Sequence, residues 1–452
     1  MQVTRIELPP PPPPVAECLR RLAAANGRGW IVGGAVRDLL QGRPPRDFDL
    51  ATDLLPEAVA AAMPDADLRE ARFGTCRTTI DGAECTITTL RAEAGYADQR
   101  HPDEVAFVTE PDRDAARRDF TVNALYYDPL TGQLYDPCGG RADLDAGLLR
   151  CIGDPVTRLQ EDPLRLLRLV RFAASAELEL DPATRAAAIA TAAGVASLSA
   201  ERSYAELTDM FTGAGRGRAL RLLVELGLAA HVLPECAAMD GVEQPPEYHP
   251  EGDVLTHVCL VLDQCPEGDE VLAWSAVLHD VGKPPTFRVA EDRIRFDGHD
   301  TLSARMADDV LRRLRAPKSV REAVVDVCLH HIRFASLPQM RPARAERWMR
   351  EPGFVQHLQF HRADCLGSHG KLDIHDFAKQ RLAALPPLRE PLLQGRDALA
   401  LGIPRGPQVG ALLRQVQAEI DERPTPTTRE QALVLLRDAA RRLLQGDDDG
   451  AR

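Results

Sequence analysis

WIVGGAVRD, residues 30–38, and RDFDLAT, residues 46–52, decide how this chain is read. Trp30, Ile31 and Val32 predict a short buried strand ending at Gly33 and Gly34, and Ala35 to Leu40 predict the opening of a helix. Paired glycines let backbone approach a ligand closely. Phosphate suits that place, because free helix amides and the positive end of the dipole face it, and Arg37 adds a fork of donors one turn in. A second strand is expected to carry Asp47 and Asp49. At period two their carboxylates leave one face, about 6.6 Å apart at the backbone, and such a pair can hold Mg²⁺ against a triphosphate. Either piece alone has an ordinary explanation, a tight turn or a solvated strand edge. Their order and closeness carry the inference.

The 452-residue chain is 44% hydrophobic, enough to bury several cores. It has no apolar run of about 18 residues, so no membrane span is expected. The stretch MQVTRIELPPPPPP lacks an apolar signal core, and residues 1–14 read as a Pro-rich, disordered tail. Ten cysteines without a CxxC pair argue for reduced thiols, small buried hydrophobes and a cytoplasmic location. A net charge of −13 argues against a protein that coats nucleic acid indiscriminately. An RNA partner would need localised basic surface, for which Arg312, Arg313, Arg315, Lys318 and Arg321, and Arg341, Arg344, Arg347 and Arg350, are candidates; solvated helix faces are the ordinary reading.

After the DFD strand, Pro56 to Met63 predict a helix, and Thr75 to Ile80 and Ala83 to Leu90 predict a hairpin turning at Asp81 and Gly82. Glu84, on its second strand, is a third metal carboxylate or a solvated side chain. Residues 94–114 are polar and rich in Gly, Pro, Asp and Arg and read as a mobile loop. RRDFTVNA, Arg117 to Ala124, follows. From about residue 141 the pattern turns helical. EDPLRLLRLVRFAA, Glu161 to Ala174, predicts one helix with Asp162 before Pro163 at its start, Arg165, Arg168 and Arg171 every third residue, and leucines in the other directions.

GGxVRD, DFD and RRDFTVNA in this order resemble the class II tRNA nucleotidyltransferase and bacterial poly(A) polymerase family. The resemblance implies that Gly33, Gly34 and Arg37 bind the incoming nucleotide, that Asp47 and Asp49 are catalytic and hold Mg²⁺, that Arg118 meets the phosphates and that Asp119 lies near the sugar; a helix N-cap is the alternative for Asp119. The full-length loop before RRDFTVNA favours addition of a terminal A as well as C. Glu161 to Arg165 resemble the family's EDxxR motif, in which an aspartate and an arginine replace a template. A guanidinium can donate to cytosine O2 and N3 or adenine N1, and a carboxylate accepts from the exocyclic amine of either. Base selection is therefore expected of Asp162 and Arg165, with phosphate or base contacts from Arg168 and Arg171, against the plainer reading of a cap and a surface stripe.

Residues 241–380 hold a second constellation: His257, then His279 and Asp280 in AVLHDVGKP, His299 in GHD, His330 and His331, and Asp364. Val320, Val324, Val327 and His331 fall on one apolar stripe, which points these imidazoles into a bundle. Imidazole with carboxylate suits Mn²⁺, Fe²⁺, Ni²⁺ or Zn²⁺. The order resembles the HD phosphohydrolase superfamily, which implies His257, His279, Asp280 and Asp364 around one ion and His299, His330 and His331 around a second, with Asp280 bridging and Lys283 near phosphate. Hydrolytic turnover and a purely structural metal site both fit. GRDALALGIPRGPQVGALLRQV, Gly395 to Val416, resembles the nucleotidyltransferase tail: a short helix, a turn and a second helix whose N-terminus can face backbone phosphate.

The expected architecture is an α+β nucleotidyltransferase head, a small mixed sheet flanked by helices (15–140), then an all-α base-selecting neck (141–240), an HD-type helical domain (241–380), a helical tRNA-binding tail (381–445) and a disordered acidic end (446–452). The expected function is addition of C, C and A to the tRNA 3′ end from CTP and ATP, with an HD phosphohydrolase activity beside it. A poly(A) polymerase or A-adding enzyme is the alternative within the class, and a phosphohydrolase with a regulatory nucleotide-binding head the alternative outside it.

Overall fold

The structure, a computed structural model, describes residues 2–94, 104–247, 249–290, 293–385, 392–421, 423, 425 and 427–446. The chain divides into two units, Met1–Leu329 with Leu366–His369, and His330–Cys365 with Gly370–Arg452.

In the first unit, strands β1 (Gln2–Arg5), β2 (Gly29–Val32), β3 (Asp49–Thr52), β4 (Thr75–Ile80) and β5 (Ala83–Thr89) are followed by a ribbon, β6 (Arg91–Ala94) with β7 (Glu104–Phe107), and then by β8 (Tyr126–Asp128) and β9 (Gln133–Asp136). All but the ribbon join one mixed sheet in the order β1-β9-β8-β2-β3-β5-β4, in which only β3 and β5 run parallel. Alternation sorts the central strands onto two cores. Ile31, Leu50 and Ile87 pack with helix α1 (Pro13–Ala24), α2 (Gly34–Leu40) and α3 (Pro56–Ala62). Trp30, Val32 and Ala51 pack on the other face with Val108, Ala115 and Tyr126. Such a strand, covered on both sides, reads as a continuous apolar run, and β2 is buried at all four positions.

Three expectations are corrected here. Residues 2–14 are not a disordered tail: Gln2–Arg5 pairs antiparallel with Asp136–Gln133, and prolines open α1, where a missing N–H is harmless. Asp47 stands before β3 and not on it, because the register pairs Val32 with Asp49 and β2 then ends at Gly33. The mobile-loop expectation for 94–114 falls partly on residues 95–103, which lie outside the described residues, while the remainder forms β7 and helix α4 (Pro111–Ala115).

Helices α5 (Gly140–Asp145), α6 (Pro155–Glu161), α7 (Leu164–Ser175), α8 (Pro182–Thr191), α9 (Ala200–Thr212) and α10 (Arg216–Glu225) follow; α7 packs on α9 and α10, and its Leu166, Leu169 and Val170 are buried. α7 opens just after Asp162 and Pro163, where the helix was expected to start, and Glu161 closes α6; Asp162 between them is extended (φ −143°, ψ 104°) because the following proline disfavours helical backbone there. Two short helices, α11 (Ala229–Val232) and α12 (Pro234–Ala237), lead to α13 (Val254–Gln264), α14 (Glu270–Leu278), α15 (Lys283–Thr286), α16 (His299–Arg313) and α17 (Lys318–His330).

The second unit contains a 3₁₀ stretch, His331–Gln339, then α18 (Pro342–Met349), α19 (Phe354–Gly367), α20 (Asp373–Ala383), α21 (Gly395–Leu399), α22 (Pro407–Asp421) and α23 (Arg429–Gly446). Two cores hold it, one around Phe334, Trp348 and Phe354 and one around Ile403, Val416 and Leu436. The helix, turn and helix expected over 395–416 are α21 and α22. Of the expected acidic end, residues 447–452 lie outside the described residues.

Candidate active site of the head and metal cluster of the helical body

At the end of β2 the backbone turns through Gly33 (φ 69°, ψ −134°), a conformation that excludes side chains, and Gly34 opens α2. A Cβ built on Gly33 would meet Arg118 Nη1 at 3.8 Å, so this guanidinium lies over the turn. Arg118 Nε donates to Asp114 Oδ2 (3.0 Å) and Tyr126 Oη (2.9 Å). Asp114 is buried and accepts in addition from Arg117 Nε (2.8 Å), the Arg91 amide (3.1 Å) and Tyr126 Oη (2.7 Å). Burial alone would push its carboxyl up, but Arg118 and Arg117 with these hydrogen bonds hold it well below the usual carboxylate range.

A second chain of contacts fixes the remaining cations. Arg37 Nη1 donates to Asn123 Oδ1 (3.0 Å), Asn123 Nδ2 to Asp119 Oδ1 (3.3 Å), and Arg168 Nε to Asp119 Oδ2 (2.8 Å). Asp119 is thus enclosed by donors, and the N-cap reading fails, since Phe120 caps the 3₁₀ turn that follows with no side-chain bond. The ring of Phe172 carries three guanidinium groups, Arg37 (5.1 Å), Arg168 (4.9 Å) and Arg171 (4.5 Å). Contact with an aromatic face offsets part of their mutual repulsion; Arg171 also donates to Glu206 (2.6 Å).

Asp47 and Asp49 keep contact with solvent. Partial burial and the like charge of Asp47 raise the pKa of Asp49, against Arg118 and Arg168, which lower it. Two carboxylates two residues apart beside fixed cations are a donor set that a divalent ion fits. Glu84 is exposed, in keeping with the solvated reading.

Asp162 receives Arg202 Nη2 on both carboxylate oxygens (3.0 Å each) and the Leu164 amide on one (3.1 Å). Arg165 is buried, and its Nη1 donates to Glu161 Oε2 (2.6 Å) and the Arg158 carbonyl (2.8 Å) and its Nη2 to the Arg117 carbonyl (3.1 Å). Arg117, Arg158 and Glu161 also line a cavity of about 310 Å³ with Ala92, Glu93, Arg113 and Ala116. Sequence reasoning passed over Asp114, Asn123, Tyr126, Arg202 and Glu206. Asn123 stands inside RRDFTVNA and could have been found there; Arg202 and Glu206, at helical spacing after the Ser199 cap, gave a weaker signal.

In the helical body, His257, His279 and Asp280 are buried to 1% exposure. His279 Nδ1 faces the Ala276 carbonyl (2.9 Å) and His299 Nδ1 the Phe296 carbonyl (2.8 Å), which fixes protons on Nδ1 and turns both Nε2 lone pairs inward. Nε2 of His279 lies 3.2 Å and Nε2 of His257 3.6 Å from Asp280 Oδ2, His299 Nε2 lies 3.6 Å from Oδ1, and the first two Nε2 atoms are 3.3 Å apart. Acceptors converging this closely are what a metal ion requires. Lys283 is buried, with Nζ 2.7 Å from Asp280 Oδ2 and 2.6 Å from Gln244 Oε1. His330, His331 and Asp364 belong to the second unit, and His331, buried, follows directly on the end of α17.

The basic run on α16 and α17 is neutralised. Arg312 pairs with Asp308, Arg313 with Glu235 (2.8 Å), Arg315 with Glu201, Lys318 with Glu322 (3.6 Å) and Arg321 with Asp308 (3.4 Å). Arg312, Arg315 and Lys318 are exposed, in agreement with the ordinary reading of solvated helix faces.

The first unit thus joins a nucleotidyltransferase-type head to helices bearing an HD cluster. Residues 29–150 match the Poly A polymerase head domain, 177–239 the probable RNA and SrmB-binding site of polymerase A, and 253–353 the HD domain. A CCA-adding enzyme of Geobacillus thermodenitrificans is 38% identical over 214 residues, 47% of this chain and 53% of that one, so the match spans about half of this relative's length. A Multifunctional CCA protein of Burkholderia pseudomallei is 33% identical over 363 residues, 75% of this chain and 85% of that one. A Bacillus stearothermophilus CCA-adding enzyme crystallised with CTP has the same fold, at a TM-score of 0.73 and 24% identity, covering 96% of this chain and 100% of that one. The chain belongs to the tRNA nucleotidyltransferase and poly(A) polymerase family, with an HD domain, whose two halves typically use divalent metals.

Proposed function

We propose that this protein adds C, C and A to the 3′ end of tRNA, taking CTP and ATP and releasing pyrophosphate. The observation that carries the reading is the Asp47–Asp49 pair within the field of Arg118 and Arg168, beside the Gly33–Gly34 turn. Gly33, Gly34, Arg37 and Arg118 are assigned to the triphosphate, Asp119 to holding Arg168, and Asp162 and Arg165 to the base. Mg²⁺ held by Asp47 and Asp49 would lower the pKa of the terminal 3′ hydroxyl and neutralise charge on the phosphates. We assign 15–140 to the head, 141–240 to the neck, 241–380 to the HD domain and 381–445 to contacts with tRNA.

For the HD cluster we propose a transition metal, Mn²⁺, Fe²⁺, Ni²⁺ or Zn²⁺, held by His257, His279, Asp280 and His299; such an ion would activate a water toward a phosphoester. Sequence resemblance adds His330, His331 and Asp364 as ligands, and the metal content of their alanine variants checks this. Ten free cysteines, and the absence among the described residues of a helix long and apolar enough to cross a membrane, support a cytoplasmic setting.

The test incubates the protein with tRNAs ending at the discriminator base, at C and at CC, with each labelled nucleotide in turn. Ordered C, C and A products are expected; long A tails would instead make it a poly(A) polymerase. Binding of tRNA should weaken with salt, log affinity against log salt having a slope on the order of −4 to −6 for a few phosphate contacts. A slope near zero would remove RNA as the ligand.

Asp162→Ala tests the base-selecting role. The carboxylate accepts an amine that uracil lacks, so the variant should lose about 1 to 3 kcal/mol of discrimination between CTP and UTP. UTP incorporation becomes measurable, CTP use falls and Mg²⁺ dependence stays. Unchanged kcat/KM ratios in a less stable protein would reduce Asp162 to the helix-entry role its Leu164 contact describes.

A further inference from the structure

Glu251 lies in the segment leading into α13, outside the cluster of inward-facing ligands, and its side chain is 6% exposed. Its Oε1 stands 2.8 Å from Nδ1 of His257 and 2.9 Å from Nδ1 of His249, whose ring meets that of His257 edge to face at 4.8 Å. Its Oε2 is buried with no hydrogen-bond partner among the described residues. A buried carboxylate with spare acceptor capacity is costly unless a positive charge lies near enough to compensate it. The His257 imidazole stands between Glu251 and the Nε2 atoms that converge on Asp280. His279 and His299 have backbone carbonyls at Nδ1, whereas His257 has this carboxylate.

We propose that Glu251 is a positioning residue of the HD metal site. It keeps the proton of His257 on Nδ1, presents the Nε2 lone pair to the metal, and takes up through the imidazole part of the charge the metal brings. A carboxylate behind a ligating histidine makes the ring a stronger donor than a carbonyl does. The inference rests on reading the cluster as a metal site. His249 meets the same carboxylate through its Nδ1 and is assigned to steadying Glu251, not to ligation.

The experiment measures Mn²⁺ binding to the full chain by electron paramagnetic resonance of the free ion, for the native protein and for Glu251→Leu, Glu251→Gln and His249→Ala, beside thermal unfolding of each metal-free protein. Glu251→Leu should bind Mn²⁺ about 10- to 100-fold more weakly. Glu251→Gln keeps an acceptor oxygen without the charge and should fall between it and the native protein; if the leucine variant does not fold, the glutamine variant carries the test. Metal-free unfolding midpoints report the structural cost of each change, and a loss of Mn²⁺ affinity in Glu251→Gln with its metal-free midpoint near the native one separates positioning from ordinary structural support. His249→Ala should change affinity by less than about threefold on the same scale. Equal affinity of Glu251→Leu and native protein overturns the inference, as does a loss in His249→Ala as large as in Glu251→Leu, which would make His249, Glu251 and His257 a ligand set. Absence of Mn²⁺ binding by the native protein overturns the metal reading and the inference with it.

Discussion

Asp47→Ala or Asp49→Ala is expected to lower nucleotide addition by at least about 10³-fold in kcat/KM, since several kcal/mol of charge stabilisation at the reacting phosphates goes with the metal carboxylates and roughly 1.4 kcal/mol is worth tenfold. Mn²⁺ binding by the HD cluster should be unchanged. Steady-state addition to a CC-ended tRNA, beside metal titration, reads both. Equal loss at the two places would sink the view that they are independent.

Asp114→Asn is expected to cost about 3 to 5 kcal/mol of unfolding free energy, because it leaves the guanidinium groups of Arg117 and Arg118 beside a neutral group in a buried setting. Its pH dependence has a definite sign. The carboxyl is held below its unfolded value, so its contribution is fully present above the ordinary aspartate pKa of about 4 and is lost as pH falls through the folded value. Denaturant unfolding of both proteins between neutral and acid pH should show the gap closing on acidification. A gap that stays constant into acid would mean that Asp114 acts through packing and not through charge.

The strand, the glycine turn and α2 were legible because period two and period 3.6 change over at Gly33 with no ambiguity. The β4–β5 hairpin was legible for the same reason, Asp81 and Gly82 both adopting positive φ between alternating strands. β1 was invisible because all four of its side chains are exposed and it is held by backbone pairing alone. At 161–174 Asp162 before Pro163 marked where α7 begins, while nothing local showed that Glu161 closes another helix. Two carboxylates paired with the basic run could not be read locally, because they are far along the chain: Glu235 is 78 residues from Arg313, and Glu201 is 114 from Arg315. In the helical body the histidine spacing pointed to residues that converge on Asp280, whereas nothing local marked Glu251; which residue stands behind an imidazole is a tertiary fact.

Phe172 collects Arg37 from the head and Arg168 and Arg171 from its own helix on one ring. The region recognised as the head by family comparison closes at residue 150, before that ring is made. A polypeptide synthesised only that far carries the glycine turn and both aspartates with an unfinished cationic surround. The unit of inheritance and the unit of binding therefore have different ends, and grafting the head onto another body would have to carry α7 with it.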